Sequence, residues 1–204
     1  MRRIAVVLGL CTLSLSMAAW ADPIFINQFG TVSITDAGIV SRGSELMDFN
    51  GIKAPPGHAL GSVTFSTGAL ASGSIWSGGI FSSAGSSFIV TGAGKYGEPK
   101  GTIFDAVFVG PIRWTVVSHT GKYDYIFKLS GAVTGMIYTG RVITGTTAQT
   151  IAVHQNQWFQ DHSGNIRAGE ANFRVGTPEP GTWGLFGTGL IILGGAKLRK
   201  LLRT

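Results

Sequence analysis

The chain has 204 residues, a mass of 21.4 kDa and a mean hydropathy of +0.29, with 44% hydrophobic residues. A sequence this apolar is not intrinsically disordered, and its length suits one domain with short appendages. Only 13% of the residues are charged, about half the usual share of a soluble domain. This composition favours an exported or membrane-linked product.

The formal charge of +6 and the pI near 9.8 would suit a nucleic-acid-binding protein if the charge lay on one surface. The charge is instead concentrated at the ends, with Arg2 and Arg3 at the start and four basic residues in the final segment. Between residues 22 and 177, ten Lys and Arg stand against nine Asp and Glu, a balance of +1. We therefore expect no nucleic-acid partner for the central part of the chain.

Residues 1–21 have the layout of a secretory signal peptide, with two arginines ahead of an apolar run. Ala19 and Ala21 supply the small-x-small pattern that signal peptidase recognises, so we predict a signal helix that is cleaved before Asp22. The alternative is a permanent N-terminal anchor, which the short apolar run disfavours. Cleavage removes Cys11, the only cysteine, so the mature chain would have neither a disulfide nor a thiol nucleophile.

Residues 22–176 consist of short apolar segments separated by glycine, without the periodicity of an amphipathic helix. Aromatic and aliphatic residues alternate with mostly polar ones over 123–130, which predicts a half-buried strand that follows another across a hairpin loop at 119–122. Strands this short, with frequent turn signals, indicate an antiparallel sandwich or barrel. We favour a β-sandwich of jelly-roll or immunoglobulin-like type, and a parallel β-helix is a minor alternative. Strands are predicted at 24–29, 31–35, 45–49, 60–66, 86–91, 102–109, 112–118, 123–130, 132–139, 141–144, 147–154 and 170–175.

A glycine-rich segment at 92–97 matches the pattern of a dinucleotide-binding loop. That mechanism requires a helix to begin at the loop and point its N-terminus at the pyrophosphate. Pro99 and Gly101 argue against such a helix. We therefore predict a turn and no bound cofactor.

Two sets of side chains offer metal or catalytic chemistry, but neither has a spacing that forces its members together. A metal site would draw on His154, Asp161, His162 and Glu170. A glycosidase would need two carboxylates about 5–10 Å apart, chosen from Glu45, Asp48, Asp105 and Asp124. We expect no metal and no enzymatic activity.

Several aromatic residues are candidates for stacking on sugar rings. Trp158 and Phe159 lie in a polar segment and are the better candidates, with packing of a loop onto the sandwich as the alternative. Trp76 and Tyr96 would serve if they were exposed. Trp114 lies in an apolar strand and is predicted to be part of the core.

The final 28 residues combine a motif, an apolar run and a basic end. Pro178, Glu179 and Pro180 cannot continue a strand or helix, which predicts an exposed peptide. The apolar run over 183–196, extended to Leu202, is just long enough for a single transmembrane helix. A basic end after such a helix faces the cytoplasm, which places the mature domain outside the membrane. The basic residues are Lys197, Arg199, Lys200 and Arg203.

This tail resembles the PEP-CTERM sorting signal of exopolysaccharide-producing Gram-negative bacteria, a segment also catalogued as an ice-binding-protein C-terminal domain. The resemblance implies that an exosortase recognises the Pro-Glu-Pro peptide and that the helix is removed or exchanged before surface display. Thr177 departs mildly from the family, in which valine often precedes the motif. The chain from Gly101 to Val175 also resembles the glycine- and threonine-rich β-domain of many PEP-CTERM proteins, which implies a fold class and no activity.

The sequence therefore predicts a signal peptide over 1–21, a β-sandwich domain over 22–176 and a sorting signal over 177–204. We expect an exported, non-enzymatic protein that passes through the inner membrane and reaches the cell surface or extracellular matrix, in association with exopolysaccharide or biofilm. Signal peptidase and an exosortase are its expected processing partners. The alternatives are a polysaccharide-binding module, a glycan-active enzyme and, for the tail, a permanent single-span anchor.

Overall fold

The computed structural model describes residues 24–120, 124–154 and 162–174, which belong to one compact unit, Ala21–Val175. They form an all-β domain of thirteen strands with antiparallel pairing. Within these ranges no helix has the length and apolarity needed to cross a membrane. The strands are β1 Ile24–Gln28, β2 Thr31–Thr35, β3 Gly38–Arg42, β4 Ser44–Phe49, β5 Ile52–Lys53, β6 Gly61–Ser66, β7 Leu70–Ser74, β8 Gly78–Phe81, β9 Ser87–Gly92, β10 Gly101–Thr120, β11 Asp124–Ile137, β12 Val142–His154 and β13 Ser163–Arg174.

The sheet closes into an eight-stranded barrel, so the predicted sandwich is wrong. The ring runs β1, β4, β6, β9, β10, β11, β12 and β13, and β13 pairs with β1 to complete it. β2 and β3 pair between β13 and β6, while β8 and β7 extend from β10. A sandwich would have two sheets with free edges, whereas the backbone hydrogen bonds here continue around the ring. The predicted signal helix and C-terminal helix lie outside the described residues.

One bent hairpin accounts for the first four strands. β1 pairs with β4 before the bend, and β2 pairs with β3 after it. The bend passes through Phe29, Gly30 and Gly43, which all have positive φ. A Cβ at Gly30 would lie 2.5 Å from the backbone nitrogen of Ser44, so glycine is required there. β13 follows this bend, because it pairs with β1 over 169–172 and with β2 over 163–165.

β10, β11 and β12 are each longer than predicted, because each joins two of the expected strands. β10 passes through Pro111 at a register shift, where the missing proline N–H interrupts no regular ladder. β11 passes through Gly131, where a Cβ would lie 2.9 Å from the Phe108 ring. The predicted hairpin loop is also shorter than expected, since His119 and Thr120 belong to β10.

The barrel interior is filled by inward-facing apolar side chains. In one half, phenylalanine rings contact each other, with centroids 4.5 Å apart for Phe104 and Phe173 and 5.1 Å apart for Phe25 and Phe173. In the other half, Trp114 stacks on Phe127 at 4.4 Å. Trp114 is only 1% exposed, as expected of a core residue.

Candidate functional site

A buried polar cluster lies where β13 changes its partner from β1 to β2. Asn27 and Gln149 meet over Gly169 and exchange two hydrogen bonds, from Asn27 Nδ2 to Gln149 Oε1 at 2.9 Å and from Gln149 Nε2 to Asn27 Oδ1 at 3.2 Å. Asn27 Nδ2 also donates to Ser44 Oγ at 2.7 Å, and Gln149 Nε2 to Thr147 Oγ1 at 3.1 Å. Because both amides are satisfied by these partners, the cluster joins β1, β4 and β12 structurally and offers no group to a ligand.

The glycine-rich segment at 92–97 leads from β9 into a loop that binds a carboxylate of the same chain. The backbone N–H groups of Lys95 and Tyr96 each donate to the Glu98 carboxylate at 2.9 Å. Burial would raise the pKa of Glu98, but hydrogen bonds from the N–H groups of Lys95, Glu98, Tyr96 and Gly94 hold that pKa below its ordinary value. No helix begins in this segment, and N–H groups that a phosphate would need already bind Glu98.

The carboxylates considered for glycoside cleavage lie on three strands. Glu45 and Asp48 are on β4 and Asp105 is on β10, with β6 and β9 between them. Three strand spacings separate Glu45 from Asp105 by about 14 Å, more than a glycosidase pair allows. The Asp48 carboxylate accepts the Gly51 N–H at 2.8 Å and stabilises the turn into β5. Asp124 begins β11, and its side chain is outside the described part.

Glu170 is separated from the two histidines that were considered with it as metal ligands. His154 ends β12 and His162 immediately precedes β13, so these two lie at the same end of the barrel. Glu170 is eight residues further along β13, or about 26 Å, and accepts a hydrogen bond from Asn172. Asp161 lies outside the described residues, among which no cluster of three or more His, Cys, Asp or Glu could hold a metal.

Aromatic rings form a column from the core to one end of the barrel. Trp114 stacks on Phe127 at 4.4 Å, and Phe127 stacks on Tyr125 at 6.0 Å. Tyr125 in turn lies 4.3 Å from the ring of His119, its partner on β10. His119 is exposed, so the column reaches the surface near the last residues of β10.

The turn between β7 and β8 brings another aromatic pair to this end. Ile75 is buried, and its carbonyl oxygen accepts a hydrogen bond from Trp114 Nε1 at 2.9 Å. Trp76 follows it, is 44% exposed and has its ring 6.1 Å from that of His162, edge to face. We call this region the aromatic end and define it by Trp76, His119, Tyr125 and His162.

Trp158 and Phe159 lie outside the described residues. The described residues on either side of this segment are His154, which ends β12, and His162, which precedes β13. Both lie at the aromatic end. The sequence pointed to Trp76 as a single residue. It gave no signal that would place Trp76 beside His162, 86 positions later in the chain.

A shallow groove of about 410 Å³ lies on the outer wall of the barrel. Ala148 and Thr150 of β12 lie between Lys128 of β11 and Glu170 of β13. The small side chains of β12 therefore account for the depression. The lining residues are Ile26, Val117, Lys128, Ala148, Thr150, Ala168, Gly169 and Glu170.

These features define the described part as a closed all-β domain with exposed aromatic and histidine side chains at the aromatic end. Residues 177–200 match the PEP-CTERM protein-sorting motif, which confirms the resemblance seen in the tail. No curated protein and no solved structure is similar enough to the chain to match it. The sorting motif supports an extracellular protein that an exosortase processes and a Gram-negative cell exports to its surface. The individual signal, motif and basic-tail residues lie outside the described part, and their roles stay predictions.

Proposed function

We propose that this protein is an exosortase substrate whose β-barrel domain serves, without catalysis, at the cell surface or in the extracellular matrix, in association with exopolysaccharide or biofilm. The PEP-CTERM motif at 177–200 is the observation that carries the proposal. The nearly neutral balance of charge in the central chain agrees with it, because the excess of positive charge is concentrated in the two terminal segments that direct export.

In this proposal each terminal segment has one task. Signal peptidase cleaves after Ala21, and the exosortase recognises Pro178, Glu179 and Pro180 as a substrate peptide. The apolar run then holds the chain in the inner membrane until processing, with its basic end in the cytoplasm. Lys197 and Arg199 lie close enough to the run for their long side chains to reach the membrane surface.

Intact mass spectrometry of the exported protein tests the sorting step. We expect the surface form to lack the residues beyond about 180 in the wild-type host and to keep them when the exosortase gene is deleted. Glu179→Gln should reduce processing, whereas Glu170→Gln, a matched change on β13, should not. A surface form that retains 183–204 in the wild-type host would contradict sorting and identify the tail as a permanent anchor.

The proposal of a non-enzymatic domain has two supports. Apolar side chains fill the barrel interior, where many other barrels hold a ligand. Glu45 and Asp105, on separated strands, are too far apart for paired-carboxylate catalysis. Release of reducing sugar from the host exopolysaccharide by the purified full chain would contradict this part of the proposal.

The second candidate function is polysaccharide binding through Trp158 and Phe159. It is favoured by the position of His154 and His162, which start and finish that segment at the aromatic end. The test is retention of the full chain in native gels that contain the host exopolysaccharide. We expect Trp158→Ala and Phe159→Ala to reduce retention; equal retention of wild type and both variants would contradict these two residues as the site.

A further inference from the structure

We propose that the aromatic end is a binding platform for neutral sugar residues, formed by Trp76 with His162 and by Tyr125 with His119. This inference rests on the polysaccharide-binding candidate and deepens it by naming further contact residues and the class of sugar. The two pairs come from four different parts of the chain: Trp76 from the turn between β7 and β8, His119 from β10, Tyr125 from β11 and His162 from the residue before β13.

The first support is the ring chemistry. A sugar ring presents C–H groups on its face and hydroxyl groups around its edge, so it suits an aromatic ring beside a hydrogen-bonding group. Trp76 provides a large ring that is 44% exposed, and His162 lies edge-on at 6.1 Å. In the second pair the exposed ring is His119, which lies over the Tyr125 ring with centroids 4.3 Å apart and ends the column at the surface.

The second support is that the core holds these rings in place. Tyr125 continues the stack of Phe127 and Trp114, which are both 1% exposed. Trp76 follows the buried Ile75, whose carbonyl oxygen is bound by the indole N–H of Trp114. The same buried tryptophan therefore fixes both pairs. A platform on a rigid base loses little conformational entropy when a ligand binds.

The third support is charge, which selects the class of sugar. The chain segments that meet this end carry few charged residues, and in the sequence these are mostly acidic: Asp36 follows β2, whose Ile34 N–H donates to the His162 carbonyl oxygen, Lys122 and Asp124 lie between His119 and Tyr125, and Asp161 precedes His162. A uronic acid or sulfated sugar would meet three acidic residues against one basic residue in these segments, which does not balance its negative charge. The platform therefore suits uncharged hexose units.

The described chain offers a matched control at the opposite end. Tyr96 is 37% exposed and lies 5.9 Å from the His58 ring, so it forms a similar aromatic–histidine pair. It lies in the loop before the first residue of β10, whereas His119 is next to the last residue of that strand. A change at Tyr96 removes the same kind of exposed ring without touching the aromatic end.

Native affinity electrophoresis of the full chain tests the platform, with hydroxyethyl cellulose, dextran or galactomannan in the gel and alginate as the anionic comparison. We expect at least one neutral polymer to retain the wild type more strongly than alginate does. Trp76→Ala and His119→Ala should each weaken that retention by about fivefold or more. Trp76→Phe should keep most of the retention because it keeps a ring, and Tyr96→Ala should match the wild type.

Urea unfolding of each variant separates a lost contact from a lost fold, and His119→Ala provides the result if Trp76→Ala unfolds. Wild-type retention of Trp76→Ala and His119→Ala, with loss in Trp158→Ala, would overturn the platform and keep polysaccharide binding. Stronger retention by alginate would overturn the neutral class. No retention by any polymer would reject both the platform and the binding candidate, while the sorting proposal has its separate test by mass.

Discussion

Gly169 is the position where one added methyl group would test the buried amide pair. It lies on β13, opposite Asn27 of β1 on one side and Gln149 of β12 on the other. A Cβ at this position would overlap both Gln149 Oε1 and Asn27 Oδ1. Gly169→Ala therefore requires the two amides to separate, which breaks the two hydrogen bonds between them.

The cost follows from the burial of these groups. An unsatisfied buried polar group costs about 1–3 kcal/mol, so the two amide oxygens that lose their donors cost about 2–6 kcal/mol. Replacing glycine in a strand returns about 0.5–1 kcal/mol through the lower entropy of the unfolded chain. We expect Gly169→Ala to lower the free energy of unfolding by about 1–5 kcal/mol, a large share of the stability of a typical domain.

Urea unfolding followed by tryptophan fluorescence measures this change, because Trp114 is buried in the core. The control is the same substitution in a chain that carries Asn27→Ala and Gln149→Ala. Without the amides, the new methyl group enters space that they vacated, so its cost should fall below about 1 kcal/mol. An equal cost in both backgrounds, or no cost in the wild-type background, would refute the overlap with the amides as the cause.

Two further substitutions test other buried contacts by the same unfolding measurement. Glu98→Gln should cost about 1–2 kcal/mol at pH 7, because a neutral oxygen accepts the Lys95 and Tyr96 N–H bonds more weakly than a carboxylate. Since the folded-state pKa of Glu98 is lowered, the stability that its carboxylate contributes is present above the unfolded-state pKa and is lost as the pH falls through the folded-state pKa. A difference in unfolding free energy between variant and wild type that persists at pH 2 would contradict this. Trp114→Phe should cost about 2–4 kcal/mol, because it shortens the ring stack and removes the donor to the Ile75 carbonyl. Circular dichroism follows the unfolding of Trp114→Phe. A decrease in unfolding free energy below about 1 kcal/mol would contradict a stabilising role for the ring stack and the bond to Ile75.

Local patterns predicted strands where inward and outward residues alternate. The predicted strand at 31–35 coincides with β2, in which Val32 and Ile34 are buried between exposed neighbours. β7 has the sequence Leu-Ala-Ser-Gly-Ser and was not predicted, because these small residues have little intrinsic strand preference and form a strand by pairing with β8. β3, β5 and β8 were missed as well. Gly131 separates two predicted strands in the sequence, whereas in the structure it lies within β11 and admits the Phe108 ring, a contact between different strands.

Closure of the barrel was not predictable from the same patterns. A strand with one buried face looks alike in a sandwich and in a barrel, and the distinction depends on pairs such as β1 with β13 and β6 with β9. The aromatic end depends on the same long-range pairing. The sequence shows that its residues are histidines and aromatics, but it does not show which strands are neighbours, and that pairing brings these residues to one end. The sorting motif was predictable because its three parts are consecutive in the sequence.

The buried amide pair also explains how a barrel without disulfides keeps its register. Asn27 and Gln149 are 122 positions apart and bridge two ladders that meet at β13. A slip of β1 by one residue would turn Asn27 outward and leave the Gln149 amide buried without its partner. Apolar neighbours tolerate such a shift more readily, because their contacts are not directional. At the bend, β13 changes its partner from β1 to β2, and the backbone ladder is interrupted. The cluster therefore opposes closure of the barrel in a wrong register at this point.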